Sequence, residues 1–300
     1  MILPTNVSAE IDLIKNDRLH GARELAVKAL HGLKRSIEQF HTDNEKDLTR
    51  FLLTTSKAFA EARPSMISIT NSISTVLCST IQHDRSDKGL RESVMHEIDL
   101  QLATLEKAFI NVVSNAANLL RGQGIVVTCS YSSTIIHALI KARKLDTSFK
   151  VLALHSPSSN GSLDFGVLTC SKLHEAHVEC DVVDEANLLD KHGVHIGFVG
   201  ADSIYPDGSV LNGSPTMRLA HEALKHHYPF YVVSETWKIN PLPLLGLTPT
   251  IESGMDIMPT EFITAIVTEF GLLEPRDVNS YAIDFSKRFD TLNRVSWSIV

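Results

Sequence analysis

The spacing of apolar side chains predicts that the first third of the chain is helical. Between Ile98 and Leu119, apolar residues recur at alternating intervals of three and four, which places them on one face of a helix. This helix is expected to begin near Ser93 and to end at Arg121 and Gly122, a composition typical of a helix C-terminus. Similar stripes predict further helices at about residues 26–37, 45–59 and 65–77.

The pattern changes at Gly124, where short β-rich apolar runs begin to alternate with helical segments. The runs predict strands at residues 125–128, 150–154, 178–183, 196–199 and 230–233. The segments between and after them predict helices at about residues 133–144, 165–176, 215–227 and 260–270. Such alternation is typical of a mostly parallel sheet covered by helices on both faces. We therefore predict an α/β fold, with an N-terminal helical domain (1–121) followed by a Rossmann-like, mostly parallel sheet domain (122–300).

The composition indicates a soluble globular protein that does not coat nucleic acid. Of the 300 residues, 43% are hydrophobic and 21% are charged. The net charge of −7 leaves no basic surplus to displace counterions from phosphates, so we expect no direct nucleic-acid partner. The N-terminus lacks the pattern of a secretory signal, and no window is apolar enough to suggest a membrane span. These features predict a cytoplasmic protein without membrane contact.

Cysteine and histidine spacings suggest neither a disulfide framework nor a metal site. The four cysteines are widely separated and form no Cys-x-x-Cys pair, so we expect reduced thiols, as in the cytosol. The 14 histidines lack the supporting cysteine or carboxylate pattern of a zinc site. Neither a dinucleotide fingerprint nor a P-loop is present. We therefore expect no metal and no cofactor.

Polar segments that follow predicted strands are expected to meet at one edge of the sheet. They are residues 129–133, residues 155–161 and Asp202, and Asn212 is expected in a loop at the same rim. In open α/β sheets the ligand crevice lies at the carboxyl ends of the strands. Hydroxyls and the N–H groups of a helix N-terminus suit an anion such as a sugar phosphate. A second interpretation stays open, in which the serines cap helices and Asp202 is a cap or a turn former.

Four segments in a fixed order give the chain a family resemblance. They are Gly200–Asp202, Asp207–Asn212, Pro229–Lys238 and Met258–Gly271. Together with a segment around Arg63, they resemble the regulatory α, β and δ subunits of eukaryotic initiation factor 2B. The same family contains ribose-1,5-bisphosphate isomerase and methylthioribose-1-phosphate isomerase. The resemblance covers about residues 24–285.

The resemblance implies a helical N-terminal domain and a Rossmann-like C-terminal domain through which members usually dimerise. It also implies that the isomerase branch uses a cysteine after the first strand and the aspartate of a Gly-Ala-Asp motif. Here Asp202 is kept, but Ser130 takes the cysteine's place and Cys129 that of the preceding histidine. The lysine that usually follows Asn212 is replaced by Gly213, and the arginine common in the second-strand loop is missing. A serine hydroxyl is too weak an acid to exchange protons near pH 7, whereas a thiol can be tuned to that range.

The favoured prediction is therefore a non-catalytic protein that resembles a regulatory subunit. It would act in translation initiation by assembling with sibling subunits, or with itself as a dimer, in a guanine-nucleotide exchange complex. A vestigial pocket for a sugar phosphate or nucleotide is expected from Arg63, Ser130, Ser132, Ser133, Asp202, Asn212 and Lys238. The alternative is an aldose–ketose isomerase acting on a phosphorylated pentose such as ribose-1,5-bisphosphate, with Asp202 shuttling a proton and Cys129 supplying the thiol. Which regulatory subunit the chain most resembles stays open.

Overall fold

The chain forms two compact units in a computed structural model. The structure describes residues 3–17, 19–82, 89–122, 124–145, 148–158, 161–184 and 193–297, without the side chains of residues 82 and 291–297. The helical unit combines residues 1–107, 237–250 and 281–300. The α/β unit combines residues 108–236 and 251–280.

The helical unit is built around the apolar stripe from which its second helix was predicted. Its helices are α1 (Thr5–Asn16), α2 (Ala22–Gln39), α3 (Glu45–Ala60), α4 (Ile67–Gln82), the first part of α5 (Leu90–Leu119) and most of α9 (Val278–Trp297). Helix α2 packs against α4, and Leu30, Leu33 and Ile37 of α2 are fully buried. Burial of each such side chain contributes about 1.5–3 kcal/mol. The predicted helices of the first third are thus confirmed.

The α/β unit contains a seven-stranded sheet with the strand order β10-β9-β7-β4-β1-β2-β3. Its strands are β1 (Ile125–Thr128), β2 (Lys150–Leu154), β3 (Cys180–Val183), β4 (Ile196–Val199), β7 (Phe230–Val233), β9 (Ala265–Thr268) and β10 (Gly271–Leu273). All paired neighbours are parallel except β9 and β10, which are antiparallel. Among the described residues, the helices that lie wholly in this unit are α6 (Ser133–Lys144), α7 (Phe165–Glu175) and α8 (Thr216–His226). The predicted fold class, helices combined with a Rossmann-like and mostly parallel sheet, is confirmed.

A second, smaller sheet was not predicted from the sequence. It is antiparallel, with the order β5-β6-β8, and consists of β5 (Ser203–Ile204), β6 (Val210–Gly213) and β8 (Met255–Met258). Asn212 therefore lies in strand β6, and the expectation that it lies in a loop was wrong. A turn at Pro206–Gly208 connects β5 to β6, where Gly208 has φ 84° and its N–H donates to the Tyr205 carbonyl at 2.8 Å.

The helix predicted at 260–270 is also wrong. A short 3₁₀ turn at Thr260–Phe262 is followed by strand β9, whose four residues are all buried. β-branched side chains dominate this strand, and it pairs in parallel with β7. Pairing with β7 on one side and β10 on the other outweighs a pattern that is locally compatible with a helix.

The units do not coincide with a single division near residue 121. Helix α5 has 30 residues, and its last turns bury Val112, Ala116 and Ala117 in the core of the α/β unit. Segments 237–250 and 281–300 belong to the helical unit, although the first lies between strands β7 and β9 and the second follows the last strand. A break in residue pattern marks where strands begin and does not mark where packing changes.

Two of the four cysteines form a disulfide, which corrects the expectation of reduced thiols. Cys170 in α7 and Cys180 in β3 are bonded, with their Cα atoms 5.2 Å apart, while Cys78 and Cys129 are free and buried. The chain turns back at the end of α7 and places β3 beside that helix. Sequence spacing does not reveal this contact.

No helix in the part of the chain that the structure describes has the length and apolarity to cross a membrane.

The close contact between α7 and β2 generates a test of the fold. A Cβ atom at Gly166 would lie 2.2 Å from the Leu154 carbonyl oxygen, so the backbones must approach without a side chain. We expect Gly166→Ala to lower the free energy of unfolding by about 1–3 kcal/mol in urea titrations, because neither backbone can move freely. Gly21→Ala is the control, since its added methyl has open space and should change stability by less than about 1 kcal/mol. Equal effects of the two substitutions would contradict this packing.

Candidate functional site

The candidate site begins at the sharp turn between β1 and α6. Strand β1 ends at Thr128, and Ser132 is the N-cap of α6, with its hydroxyl accepting from Ile135 N at 3.4 Å. Between them, Ser130 adopts φ 63°, a left-handed conformation that is uncommon for a residue with a side chain. The turn reverses the chain within a few residues and holds the serine hydroxyls at the carboxyl end of β1.

Hydrogen bonds from two other elements fix the Ser130 backbone. Its N–H donates to the Ser156 hydroxyl, which follows β2, at 2.9 Å. Its carbonyl accepts from the Thr169 hydroxyl in α7 at 3.1 Å. Asp164, the N-cap of α7, accepts from Ser156 N at 3.2 Å and from Gly166 N at 2.9 Å. The segments that follow β1 and β2 therefore meet, as the sequence predicted.

The segment after β4 reaches the same place. A Cβ atom at Gly200 would lie 2.9 Å from the Ser132 hydroxyl oxygen and 3.6 Å from Asn212 Oδ1. A Cβ atom at Gly213 would lie 2.3 Å from the Ser130 hydroxyl oxygen. Ser130, Ser132 and Asn212 are thus gathered around two glycines, whose missing side chains make the approach possible.

The remaining site residues of the α/β unit are placed around this cluster. Asp202 lies three residues beyond the end of β4, is partly exposed, and donates its backbone N–H to the Leu211 carbonyl at 2.9 Å. Ser133 is the first residue of α6, and its carbonyl accepts from His137 Nδ1 at 2.7 Å. In the predicted loop 155–161, residues 159 and 160 lie outside the described residues.

The Cys129 side chain is buried, and its contact Thr216 is also bonded to Asn212 of the cluster. It is 1% exposed, and its Sγ lies 3.4 Å from Thr216 Oγ1. The Thr216 hydroxyl donates its single proton to the Gly213 carbonyl at 2.7 Å and accepts from Asn212 Nδ2 at 2.8 Å. The thiol is therefore the donor to Thr216. Burial, with smaller effects of Glu222 and Cys129, raises the pKa of Tyr228, so this neighbouring hydroxyl stays protonated.

The two positively charged side chains that were predicted to bind a ligand, Arg63 and Lys238, belong to the helical unit. Arg63 is 7% exposed and donates to the Asp17 carbonyl at 2.6 Å. Lys238 is 6% exposed and ends the 3₁₀ turn Thr236–Lys238. Their role in binding a ligand stays a prediction.

Ser156 lies in the predicted segment 155–161, but sequence reasoning missed the other residues that support the cluster. Ser156, Thr169 and Thr216 hold the turn and the Asn212 amide by single hydrogen bonds. Asp256 in β8 accepts from the Ser214 hydroxyl at 2.7 Å and from Met217 N at 3.0 Å, which fixes the start of α8. No sequence signal identifies Asp256, because its partners lie about 40 residues away in the chain and Asp256 itself belongs to a sheet that was not predicted. Among the described residues, no group of three or more histidine, cysteine or acidic side chains is arranged to hold a metal ion.

Two acidic residues of the segments that carry the family resemblance lie close together in the α/β unit. Glu235 is 2% exposed, and Glu269 accepts from Thr236 N at 3.0 Å and from Thr236 Oγ1 at 2.6 Å. Burial raises the pKa of Glu269, opposed by the bonds from Thr236 and assisted by the charge of Glu235. The Glu269 carboxyl group therefore lies in an environment that disfavours its charged form.

Comparison with known proteins identifies the family. The sequence profile of the initiation factor 2 subunit family matches residues 18–254, which is most of the chain. The chain belongs to the initiation factor 2 subunit family. The family assignment agrees with the resemblance carried by the Gly200–Asp202 and Pro229–Lys238 segments.

Relatives in this family carry names of two kinds. The chain is 26% identical to an eIF-2B subunit 2-like protein of Pyrococcus furiosus, covering 92% of this chain and all of that protein. It is also 26% identical to ribose 1,5-bisphosphate isomerase of Haloferax volcanii, covering 90% of this chain and 88% of that enzyme. The names of relatives therefore do not decide between a factor-like protein and an enzyme.

Solved structures of the family share the fold. The crystal structure of translation initiation factor eIF-2B from Pyrococcus horikoshii OT3 has a TM-score of 0.75 and 25% identity, covering 92% of this chain and all of that chain. A chain of the tetrameric eIF2B β2δ2 complex from Chaetomium thermophilum has a TM-score of 0.76 at 20% identity, covering 93% and 94%. At that identity the second likeness concerns the fold alone.

The Ser130 turn generates a test by double mutation. Gly213→Ala should destabilise the protein by about 1 kcal/mol, because the new methyl group would collide with the Ser130 side chain. Ser130→Gly removes that side chain and relieves a left-handed backbone, so it should be neutral or stabilising by up to about 1 kcal/mol. In the double variant the cost of Gly213→Ala should largely vanish, measured as a coupling free energy by chemical denaturation. Strict additivity would show that the two residues do not touch.

The raised pKa of Glu269 predicts a pH dependence of stability. The folded state holds this proton more tightly than the unfolded state, so the contribution of Glu269 is fully present below its usual pKa of 4.5. It is lost as the pH rises from there through the raised value in the folded protein. We expect Glu269→Gln to flatten the fall in unfolding free energy over this range, measured by urea titration at successive pH values. Exposed Glu261→Gln is the control and should leave the slope unchanged.

Proposed function

We propose that this chain is a regulatory-subunit-like, non-catalytic member of the family. It acts in translation initiation by assembling with sibling initiation factor 2B-type subunits, or with a second copy of itself, and it works in the cytoplasm. Through that assembly it modulates guanine-nucleotide exchange and does not exchange nucleotide by itself. The observation that carries the proposal is the placement of Cys129 and Ser130: the thiol is buried against Thr216, and the hydroxyl stands in the strand-end cluster.

The chemistry of an aldose–ketose isomerisation explains why this placement matters. Moving a carbonyl between adjacent sugar carbons requires groups that accept and return protons near pH 7. Asp202 offers one such group, but a serine hydroxyl has too high a pKa to be its partner. Cys129, at 1% exposure, would have to leave the core before it met a substrate.

A pocket that binds without catalysis is compatible with these residues. Ser130, Ser132, Ser133, Asp202 and Asn212 belong to the cluster or to its immediate chain neighbours, and they offer hydroxyl, amide and carboxylate groups. Such groups suit the hydroxyls of a sugar, and the first N–H groups of α6 suit its phosphate. In the proposal the ligand is a sugar phosphate or a nucleotide.

Isomerase activity on a phosphorylated pentose such as ribose-1,5-bisphosphate is the second candidate. It is favoured by the retention of Asp202 beyond β4 and by relatives named as isomerases at the same identity as the factor-like relatives. In that case Asp202 shuttles the proton and Cys129 supplies the thiol after the turn rearranges.

Incubation of the purified protein with ribose-1,5-bisphosphate separates the two candidates. We expect no ribulose-1,5-bisphosphate above background, because the cluster lacks a thiol that can exchange protons. Turnover that is abolished by Asp202→Asn and by Cys129→Ser would establish the isomerase instead. Cys78→Ser, which removes the buried thiol of the helical unit, is the matched control.

Assembly is measured in the same preparation. Native mass spectrometry of the protein isolated from its source should show a complex with other family subunits or a dimer. A lone monomer without turnover would contradict both candidates.

A further inference from the structure

The disulfide is placed where it can act on the strand-end cluster. Cys170 lies in α7, and Cys180 begins β3, the edge strand of the seven-stranded sheet. The two residues are 4% and 2% exposed. Cys170 directly follows Thr169, whose hydroxyl donates to the Ser130 carbonyl at 3.1 Å. Adjacent residues thus carry the covalent bond and a contact that holds the left-handed turn.

Helix α7 is attached to the sheet near both of its ends. At its N-terminus, Asp164 accepts N–H groups from Ser156 and Gly166, and Gly166 packs closely on the Leu154 carbonyl. Towards its C-terminus, the attachments are the disulfide and a hydrogen bond of 2.8 Å between His174 Nε2 and the Cys180 carbonyl. Of these attachments, the disulfide is a covalent bond, whereas the others are hydrogen bonds or packing contacts. Because both ends of this short helix are fixed, the Thr169 hydroxyl stays within hydrogen-bonding distance of the Ser130 carbonyl.

We propose that the Cys170–Cys180 disulfide is a redox-responsive site that sets the rigidity of the Ser130 turn and thereby the affinity of the neighbouring pocket for a sugar phosphate. The part that concerns the ligand rests on the proposed function. Reduction releases the C-terminal half of α7 from β3, so the Thr169 hydroxyl is held less firmly and the turn at Ser130 opens more often. Disulfides in a cytosolic protein are generally redox-responsive rather than permanent, which fits the proposed location.

The chemical step is thiol–disulfide exchange with a dithiol reductant. One thiolate of the reductant attacks a sulfur of the Cys170–Cys180 bond, and a mixed disulfide forms while the other protein sulfur leaves as a thiolate. The second thiolate of the reductant then closes its own disulfide and releases the remaining protein sulfur. The protein gains two electrons and two protons and the reductant loses them. Because both protein sulfurs are buried, attack requires local opening of α7, and a ligand that stabilises the turn should slow it.

The experiment compares the oxidised protein with the protein reduced by dithiothreitol. Alkylation after denaturation should label the two free cysteines, Cys78 and Cys129, in the oxidised form and all four in the reduced form. Amide hydrogen exchange in residues 128–135 should be about fivefold faster or more after reduction. Cys78→Ser should respond like the wild type. Cys170→Ser/Cys180→Ser should exchange like the reduced protein with or without dithiothreitol.

A ligand measurement on the same samples separates this inference from the proposed function. Calorimetric titration with ribose-1,5-bisphosphate should show binding that is about fivefold weaker or more after reduction. Four labelled cysteines before reduction, or equal exchange rates in the two forms, would overturn the inference. Faster exchange without binding in either form would support the coupling between the disulfide and the turn and overturn the ligand pocket.

Discussion

The left-handed turn at Ser130 is the constraint on which the candidate site depends. A residue with a side chain adopts φ 63° at a cost of about 1–3 kcal/mol, so contacts with the surrounding residues must stabilise this backbone conformation. Ser156 and Thr169 hold its N–H and its carbonyl, and Gly213 leaves room for its hydroxyl. Each partner comes from a different element of the α/β unit. The turn therefore exists only when β2, α7 and β6 are all in place, which makes the site a product of the whole unit.

This dependence explains why glycines appear beside the polar groups. Gly200 and Gly213 contribute no chemistry, yet a methyl group at either position would lie under 3 Å from a serine hydroxyl oxygen. The Asn212 amide likewise donates a hydrogen bond to Thr216. Thr216 lies at the start of α8, next to Ser214, whose hydroxyl donates to Asp256. The cluster is a tightly packed set of small polar residues, supported by hydrogen bonds from Ser156, Thr169 and Thr216. Such packing suits a rigid recognition surface and leaves little room for a residue that must move during a reaction.

The fold could be predicted from the sequence in those parts where one local pattern decides. The stripe through Leu30, Leu33 and Ile37 identifies α2, and the runs at β1, β2, β4 and β7 identify the parallel sheet. Prediction failed where distant partners decide, as at β9, at Asn212 in β6, and at the Cys170–Cys180 pair. The meeting of the strand-end segments followed from the rule for open sheets, whereas Thr169, Thr216 and Asp256 are recognisable only once their partners are brought together in space.

The register of β1 bears on whether Cys129 can take part in chemistry. Bringing its thiol to the position of Ser130 requires the chain to shift by one residue, and a shift of one residue exchanges the two faces of a strand. Strand β1 pairs with both β2 and β4, and Val126 and Val127 are fully buried. A slip would disturb both ladders and move these side chains from the environments they now fill. The same pairing that builds the site therefore keeps the thiol inside, and it supports the proposal of a non-catalytic protein as much as the serine at position 130 does.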